Sequence, residues 1–470
     1  MQRMSKRVGV IVAVAGLASS ALAGTTPATL VIAEGDVLGP STVASLNSPF
    51  TNGLGQVGFV VALVDGQRAV WVDNGPVFFS NDALPDVLSG GEGTMGIGDS
   101  GEFIYSPSFN GGDAVWGEGG LILVDGTPAP DFLPGFDTTF HSRPRMINDG
   151  SSYWMSGTND GAGGTSTQNR IVYFRDGATG VITGILRAGD VVDGVLVAGA
   201  GGIDFDTAIS DDGARRLFIF NDAFATTADD TVVAVDGQIV AREASPSGDG
   251  DNWDNFDNTS INSAGDYVFS GDTDGVTTTD EFIAYNSVIA VREGDSVGGL
   301  TLGSACNALS INELGQAVFV FSTVEETETL FYAADASDLA SAVKIASVGD
   351  ALDFTGDGIA DAVIDDFNAS NTIGPGLDLA EDGRVFVEID MIPTGGTAIE
   401  AIVALGLPGP GPCNAADNAA PFGVLDLADV QGFIAGFLGQ TAAADIAAPF
   451  GVWDLADINA FIAAFNAGCP

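Results

Sequence analysis

Apolar and polar positions alternate in short runs along most of the chain, and one turn pattern punctuates them at a regular interval. Ser310-Ile-Asn-Glu-Leu-Gly-Gln-Ala-Val-Phe319 shows the unit: an apolar residue before an Asn, a turn ending in Gly, then a short strand carrying an aromatic. Variants stand at Asn52-Gly-Leu-Gly55, Gly98-Asp-Ser-Gly101, Asn148-Asp-Gly150, Ser210-Asp-Asp-Gly213, Asn262-Ser-Ala-Gly265 and Ala380-Glu-Asp-Gly383. Asn and Gly tolerate positive φ, so the unit reads as a tight turn feeding a strand. The seven closing glycines lie 46 to 68 residues apart. A period of about fifty with several strands in each predicts propeller blades rather than solenoid coils.

Within each period the pattern is strand, strand, turn, strand. Glu281-Phe-Ile-Ala-Tyr285, Asn286-Ser287 and Val288 to Asp295 form one example, and Thr231 to Val235, Asp236-Gly237 and Gln238 to Glu243 another. Asp-Gly between alternating apolar runs is a hairpin signal, and it recurs at Asp125-Gly126 and Asp176-Gly177. The seventh copy has strands near Val385 to Ile389 and Ala398 to Leu405 but no following Val-Ile-Ala-Arg-Glu-Gly-Asp strand. Leu30-Val-Ile-Ala-Glu-Gly-Asp36 supplies that pattern at the other end of the chain. An N-terminal strand completing the last blade would remove exposed sheet edges. The expectation is a mainly β fold: a closed seven-bladed β-propeller over 24–405, with an open β-sandwich array as the structural alternative.

Composition narrows the partners. Lys+Arg number 15 against Asp+Glu 63, a formal net charge of −48, which disfavours nucleic acid and anionic membranes. With 46% hydrophobic and 17% charged residues, the chain reads as folded rather than as an acidic disordered one. Arg3, Lys6 and Arg7, an apolar run from Val8 to Leu17 and Ala21-Leu-Ala23 read as an export signal over 1–23. The apolar run is short for a membrane span, and no later stretch supplies one. The mature chain is expected to be secreted or cell-surface associated, where Cys306, Cys413 and Cys469 can pair.

The repeats resemble the bacterial exported tandem-repeat family with the pattern Asn-x-x-Gly-x-x-Ala-Phe. Asn312-Glu-Leu-Gly-Gln-Ala-Val-Phe319 fits it with one extra residue before Phe, and the other copies fit more loosely. The resemblance covers about four fifths of the chain and brings no biochemical activity with it.

Beyond a linker at 406–412, the tail carries a duplication. Ala416-Asp-Asn-Ala-Ala-Pro-Phe-Gly-Val-Leu-Asp-Leu-Ala-Asp429 returns as Ala444-Asp-Ile-Ala-Ala-Pro-Phe-Gly-Val-Trp-Asp-Leu-Ala-Asp457. Each copy runs into an apolar helix, with Leu427, Val430, Phe433, Ile434 and Phe437 matching Leu455, Ile458, Phe461, Ile462 and Phe465. Two loop-helix units with matching apolar faces predict a small all-α domain over 413–470. It resembles a dockerin of the variant that starts near Gly-Pro-Cys and ends Gly-Cys-Pro, as Gly411-Pro-Cys413 and Gly468-Cys-Pro470 do. The resemblance implies calcium in each duplicated loop and docking to an extracellular or cell-surface protein. Gly423, Asp426 and Asp429 keep the loop spacing, as do Gly451, Asp454 and Asp457. Ala420, Phe422, Ala448 and Phe450 stand where side-chain oxygens are expected, and Asp417 and Asp445 sit one residue early. The alternative is that the aspartates cap helices. Cys413 and Cys469 bracket the module and are expected to form a disulfide, which leaves Cys306 as a buried thiol in a strand.

Another calcium candidate is Asp353-Phe-Thr-Gly-Asp-Gly-Ile-Ala-Asp361. Asp353, Thr355, Asp357 and Asp361 supply side-chain oxygens at first, third, fifth and ninth positions, and Ile359 a carbonyl. The cluster Asp249, Asp251, Asp254 and Asp257 around Trp253 reads as a solvated loop. With His141 as the sole histidine, a histidine-rich zinc site is excluded, and a Ser-His-Asp arrangement has to use that residue. His141 precedes Arg143 and Arg145 and reads as an ordinary loop histidine. The functional expectation is a secreted, non-catalytic interaction protein: a propeller presents a binding surface, carbohydrate among its candidate ligands, and the tail docks. The alternatives are a propeller-type carbohydrate-active hydrolase using paired carboxylates, and a structural surface or matrix protein.

Overall fold

The structure is a computed structural model. It describes residues 25–80, 94–109, 112–132, 134–159, 170–199, 202–204, 206–368 and 376–407, and in the tail 415–416, 425, 427–439, 444, 446–447 and 452–468. The expected export signal, most of the linker, Cys413, Cys469, Asp417, Asp426 and Asp445 lie outside the described residues.

The chain is mainly β. A strand also precedes each turn, so a period holds four antiparallel strands rather than three. The first sheet is Ser41–Leu46, Val57–Leu63, Arg68–Val72 and Gly75–Phe79; the second Met95–Ile97, Phe103–Tyr105, Gly112–Gly117 and Gly120–Val124. The third is Asp137–Met146, Ser152–Asn159, Arg170–Arg175 and Ile182–Arg187, and the fourth Ala208–Ile209, Arg216–Asn221, Thr231–Val235 and Gln238–Arg242. The fifth is Thr259–Ile261, Tyr267–Asp272, Glu281–Tyr285 and Val288–Arg292, and the sixth Leu300–Ile311, Ala317–Thr323, Glu328–Ala333 and Val343–Ser347. The seventh runs Leu377–Leu379, Arg384–Pro393, Ile399–Gly406 and then Thr26–Ala33 from the other end of the chain, with Leu30 opposite Val403 and Ala33 opposite Ala401.

The turn sequence explains the first corner of every sheet. Asn312 Oδ1 accepts the amides of Leu314 and Gln316 at 3.2 and 2.9 Å, and Gly315 N–H closes on the Asn312 carbonyl at 3.1 Å. Gly315 has φ +72, which an L side chain rarely adopts. Where Asn is absent, the backbone bond persists, as from Gly383 to Ala380 at 3.1 Å, and other side chains accept the turn amides, Ser210 Oγ from Arg215 at 3.0 Å and Asp382 Oδ1 from Arg384 at 3.2 Å. In the third copy the turn starts at Ile147 rather than Asn148, since Gly150 N–H bonds the Ile147 carbonyl.

A second repeated signal lies after the outer strand. Asp36, Asp190, Asp295 and Asp350 each follow a Gly, and each side chain accepts an amide three residues back, at 2.9 Å in all four. Asp236-Gly237 joins paired strands as expected. Asp125-Gly126 does not; it leads out of the second sheet, whose outer hairpin turns at Glu118-Gly119 instead.

A buried apolar layer lies between each sheet and the next. Val60 meets Met95 and Tyr105, Val115 meets Trp154, Leu186 meets Phe220, and Val233 meets Phe269. Ile283 meets Phe319, and Val320 meets Val387. The seventh sheet also packs on the first, through Ile32, Phe386 and Ile402 against Phe59 and Val61. Fully burying a side chain of this size contributes roughly 1.5–3 kcal/mol.

In the tail, helices α1 (Leu427–Gly439) and α2 (Leu455–Ala467) pack through Phe433 and Phe461, whose rings stack with centroids 4.2 Å apart. The duplication places Asp429 and Asp457 in equivalent, fully buried positions. Among the described residues, no helix is long and apolar enough to cross a membrane.

Candidate functional site

The turns gather at one end of the sheets and are tied to one another. Asn52 Nδ2 donates to the Gly98 carbonyl at 2.9 Å, Gly53 N–H to Asn148 Oδ1 at 3.3 Å, and Asn148 N–H to the Asp211 carbonyl at 3.0 Å. Asp212 N–H donates to Ser263 Oγ at 3.3 Å, Ser263 N–H to Glu313 Oε2 at 3.0 Å, and Glu313 N–H to Glu381 Oε1 at 2.7 Å. Arg384 Nη2 returns to the Gly55 carbonyl at 2.7 Å. Asp211 sits among these turns; burial, with Glu313, Asp378, Glu381 and Asp99 nearby, pushes its carboxyl up to about 7. Arg145 lies 3.6 Å over the Phe50 ring and donates to the Met95 carbonyl at 3.4 Å.

The loop-bearing ends of the strands carry a second group of carboxylates. Asp206 precedes the inner strand of the fourth sheet and accepts from Arg143 at 2.9 Å; burial nevertheless raises its carboxyl, with Asp204 and Asp257 adding to the effect. Asp257 is pushed up to about 6 by burial and by Asp272. Glu281 stands opposite Asp272 in the sheet register, accepts the Cys306 amide at 2.8 Å, and is pushed up to about 9, chiefly by burial. Glu328 in the sixth sheet is raised by burial and by Asp366, and accepts from Asn307 Nδ2. Of these, Glu281 keeps its proton at neutral pH and can donate a hydrogen bond to a ligand, and the others are raised toward the range in which a carboxyl serves as a general acid. None of these residues is marked by a local motif: Asp206 belongs to the fourth repeat, Asp257 and Glu281 to the fifth and Glu328 to the sixth. The one legible trace is the acidic pair flanking the middle loop, Asp272 and Glu281, which recurs as the opposed Asp390 and Glu400.

The sequence-predicted sites fall elsewhere. The 353–361 loop interrupts a hairpin, Ala351–Asp353 with Ala362–Phe367, that closes through Gly298-Gly299 in the preceding repeat. Its own amides fill its carboxylates. Asp353 accepts from Gly356 at 2.6 Å and Gly358 at 2.8 Å, Asp361 from Phe354 at 2.8 Å, and Asp357 from Ile359 at 2.9 Å. Thr355 Oγ1 turns onto Asp353, and the Ile359 side chain is exposed. Among the described residues, no three His, Cys, Asp or Glu side chains converge as a metal site would need. In the tail, Asp454 caps α2 by accepting the Ala456 amide at 2.7 Å, while Asp457 accepts Ile446 and Ala447 amides at 2.9 Å and that of Asp454 at 3.0 Å. The Asp454 amide is the foremost of the contacts that hold the Asp457 carboxyl below its ordinary range.

One expectation is corrected and one is refined. His141 is not a loop residue; it is buried in the strand Asp137–Met146, with Nδ1 2.7 Å from Ser156 Oγ and Nε2 3.7 Å from Asp125 Oδ1. This is a Ser-His-Asp grouping, but Ser156 is fully buried, and burial pushes the imidazole down to about 4. The Asp249 to Asp257 segment is a loop with Asp249 and Asp254 exposed, as expected, but it is anchored in the core. Trp253 is buried against Phe256, Phe269 and Phe282, and Arg292 grips Asp249 at 2.7 Å and Asp251 at 3.3 Å. Cys306 is a free, buried thiol in a strand, as expected.

No family model matches the chain, and no curated protein matches its sequence. Among solved structures it is similar to a puromycin hydrolase mutant (TM-score 0.37, 11% identity, 81% of this chain) and spans 53% of that chain. An α-L-arabinofuranosidase from Fusarium graminearum gives a TM-score of 0.34 at 8% identity, over 82% of this chain and 98% of that one. A protein of unknown function from Dyadobacter fermentans gives 0.37 at 14% identity, over 81% and 99%. Likeness at this level carries no argument about chemistry.

Proposed function

We propose that the chain is an exported, non-catalytic recognition protein. In this reading the seven sheets form a closed β-propeller, the loop-bearing end presents the binding surface, and the dockerin-like tail, clasped by Cys413 and Cys469, docks the molecule to an extracellular or cell-surface protein. The observation that carries it is the contrast between the two ends. Backbone and side-chain bonds tie the turn end together around the raised carboxyl of Asp211, whereas the loop end gathers several carboxyls of raised proton affinity, Asp206, Asp257 and Glu281, with Arg143 bonded to Asp206. Calcium belongs to the proposal at Asp353, Thr355, Asp357, Ile359 and Asp361. In the tail it belongs at Asp417, Asp426, Asp429, Asp445, Asp454 and Asp457. In both places it rests on ligand spacing. The test compares the mature chain with a version ending at Leu407 for retention on the source cell's envelope fraction, in calcium and in chelator. Retention of the full chain alone, in calcium alone, supports docking. Equal retention of both versions overturns it.

A second reading is a hydrolase acting on carbohydrate. It is favoured by Asp206 and Asp257, both raised and each within electrostatic reach of the other, as a general acid requires. Release of reducing sugar from a polysaccharide panel, abolished in Asp206→Asn and Asp257→Asn, would establish it. An inactive wild-type chain would remove it.

A further inference from the structure

The residue that closes each turn is defined by a bond from the first turn residue to its carbonyl. These residues are Gln56, Glu102, Ser151, Arg215, Asp266, Gln316 and Arg384. In six sheets the side chain of that residue has a partner. Gln56 accepts from Asn52 Nδ2 at 2.9 Å, Ser151 Oγ accepts the Gly177 amide at 2.9 Å, and Arg215 and Arg384 bond Asp236 and Asp382 at 2.9 and 2.8 Å. In the fifth and sixth sheets the partner is a tyrosine: Tyr285 OH donates to Asp266 Oδ1 at 2.6 Å, and Gln316 Nε2 donates to Tyr332 OH at 2.9 Å. Glu102 of the second sheet differs. Its Oε2 is buried and has no hydrogen-bond partner among the described residues.

The register explains why. Tyr285 pairs with Val268 and Tyr332 with Val318, and the equivalent residue of the second sheet, Ile104, pairs with Gly117. Where the later repeats carry a tyrosine, this one carries no side chain. A cavity of about 560 Å³ opens there between the second and third sheets, walled by Glu102, Phe103, Gly117, Ile122, Met146 and Ile182. Its size falls in the range of small-molecule sites. A buried carboxylate oxygen left without a donor is costly, so a ligand that supplies the donor gains more than one that merely fills the space.

We propose that this cavity binds a small phenolic ring, which lies where Tyr285 and Tyr332 lie in their own repeats and donates its hydroxyl to Glu102. The Ile122, Met146 and Ile182 side chains receive the ring, and the open side between the sheets admits it. The site is separate from the loop-end surface and does not depend on the function proposed above.

The probe is p-cresol, with toluene as the ring that lacks a donor and methyl glucoside as a hydroxylated ring without an aromatic face. Titration of the full-length mature chain by ligand-observed NMR should give p-cresol a Kd on the order of 1 mM or tighter. It should be preferred over toluene by at least about 10-fold, the scale of one hydrogen bond to a charged group. Gly117→Tyr, which rebuilds the missing side chain, should abolish p-cresol binding and raise Tm. A Cβ at Gly117 meets Ile122 Cδ1 at 3.2 Å and the Phe103 carbonyl oxygen at 3.3 Å, so the side-chain tip and the neighbouring strand must both yield by a few tenths of an ångström. Should that variant fail to fold, Glu102→Met keeps the wall and removes the acceptor, and p-cresol and toluene should then bind equally. Equal binding of the two by the wild type, preference for methyl glucoside, no binding of any probe, or p-cresol binding unchanged in a folded Gly117→Tyr chain would each overturn the proposal.

Discussion

Asn262 and Asn312 occupy the same place in two successive repeats, and Asn262 Nδ2 donates to the Asn312 carbonyl at 3.2 Å. The Asn of the repeat thus has two uses. Its Oδ1 holds its own turn, and its amide nitrogen holds the next sheet, a bond repeated from Asn52 to Gly98. Both asparagines of the pair are almost wholly buried. Asn262→Ala should therefore lower stability by about 1–3 kcal/mol, since the turn amide and the neighbouring carbonyl lose their partners in the interior. Asn262→Asp should recover part of that loss by keeping the acceptor. Denaturant titration of the three chains decides it; equal stability of Asn262→Ala and wild type would deny the inter-repeat bond any weight.

The N-terminal strand should be indispensable. Ile32 is buried in the layer between the seventh and first sheets, and Ile32→Ala should cost about 2–5 kcal/mol. Removal of residues 25–33 leaves the edge of Ile399–Gly406 unpaired and should yield aggregated protein, read by size-exclusion chromatography.

Stability should fall as pH rises from about 5 to 9. Asp211, Asp257 and Glu281 have folded-state values of about 7, 6 and 9, above their ordinary values of 3.8, 3.8 and 4.5. Between those limits the folded chain binds more protons than the unfolded one. The stabilisation is therefore full below about pH 4 and is lost as pH passes the folded values. His141, pushed down to about 4, acts oppositely and subtracts stability below its ordinary value of 6.5, but it is one group against several. Glu281→Gln, a neutral isostere, should flatten the decline between pH 7 and 9. Denaturation midpoints measured across this range test the sign; a rising midpoint from pH 5 to 8 would contradict it.

In the tail, Asp457→Ala leaves three amides unpartnered and should cost about 1–3 kcal/mol of tail stability. A loss equal in calcium and in chelator marks Asp457 as a cap; a loss confined to calcium marks it as a ligand. The helical signal of the full chain during thermal melting is the readout.

Cys306 should resist thiol reagents in the native state. It is buried, and burial together with Glu281 raises its thiol well above the ordinary value, so little thiolate forms. Quantitative modification in folded protein at pH 8 would refute this placement.

Much of the sheet architecture was legible in the chain. Turns of the Asn312 to Gly315 kind depend on residues with special backbone freedom, and those residues stand next to one another in sequence. The displaced strand at Leu30 was legible for the same reason, because it repeats a local pattern found after Asn286. Misreadings arose where a local pattern has two meanings. Asp125-Gly126 has the composition of a hairpin but no paired strand after it, and the Asp249 segment is an exposed loop, as read, whose anchoring by Trp253 and Arg292 the sequence does not show. His141 was misplaced because nothing near it in sequence reveals that Ser156 and Asp125 enclose it.

The sequence by itself determined the repeat, its turns, its mainly β character and the duplicated helical tail, since each is encoded within a few residues by backbone preference and apolar period. Only the tertiary structure decided which carboxylates meet. Asp206, Asp257, Glu281 and Glu328 come from three repeats, and their proton affinity arises from burial and mutual repulsion, which depend on distance in space. The same holds for Glu102: its missing partner is visible once the register sets Gly117 where two other sheets carry tyrosine.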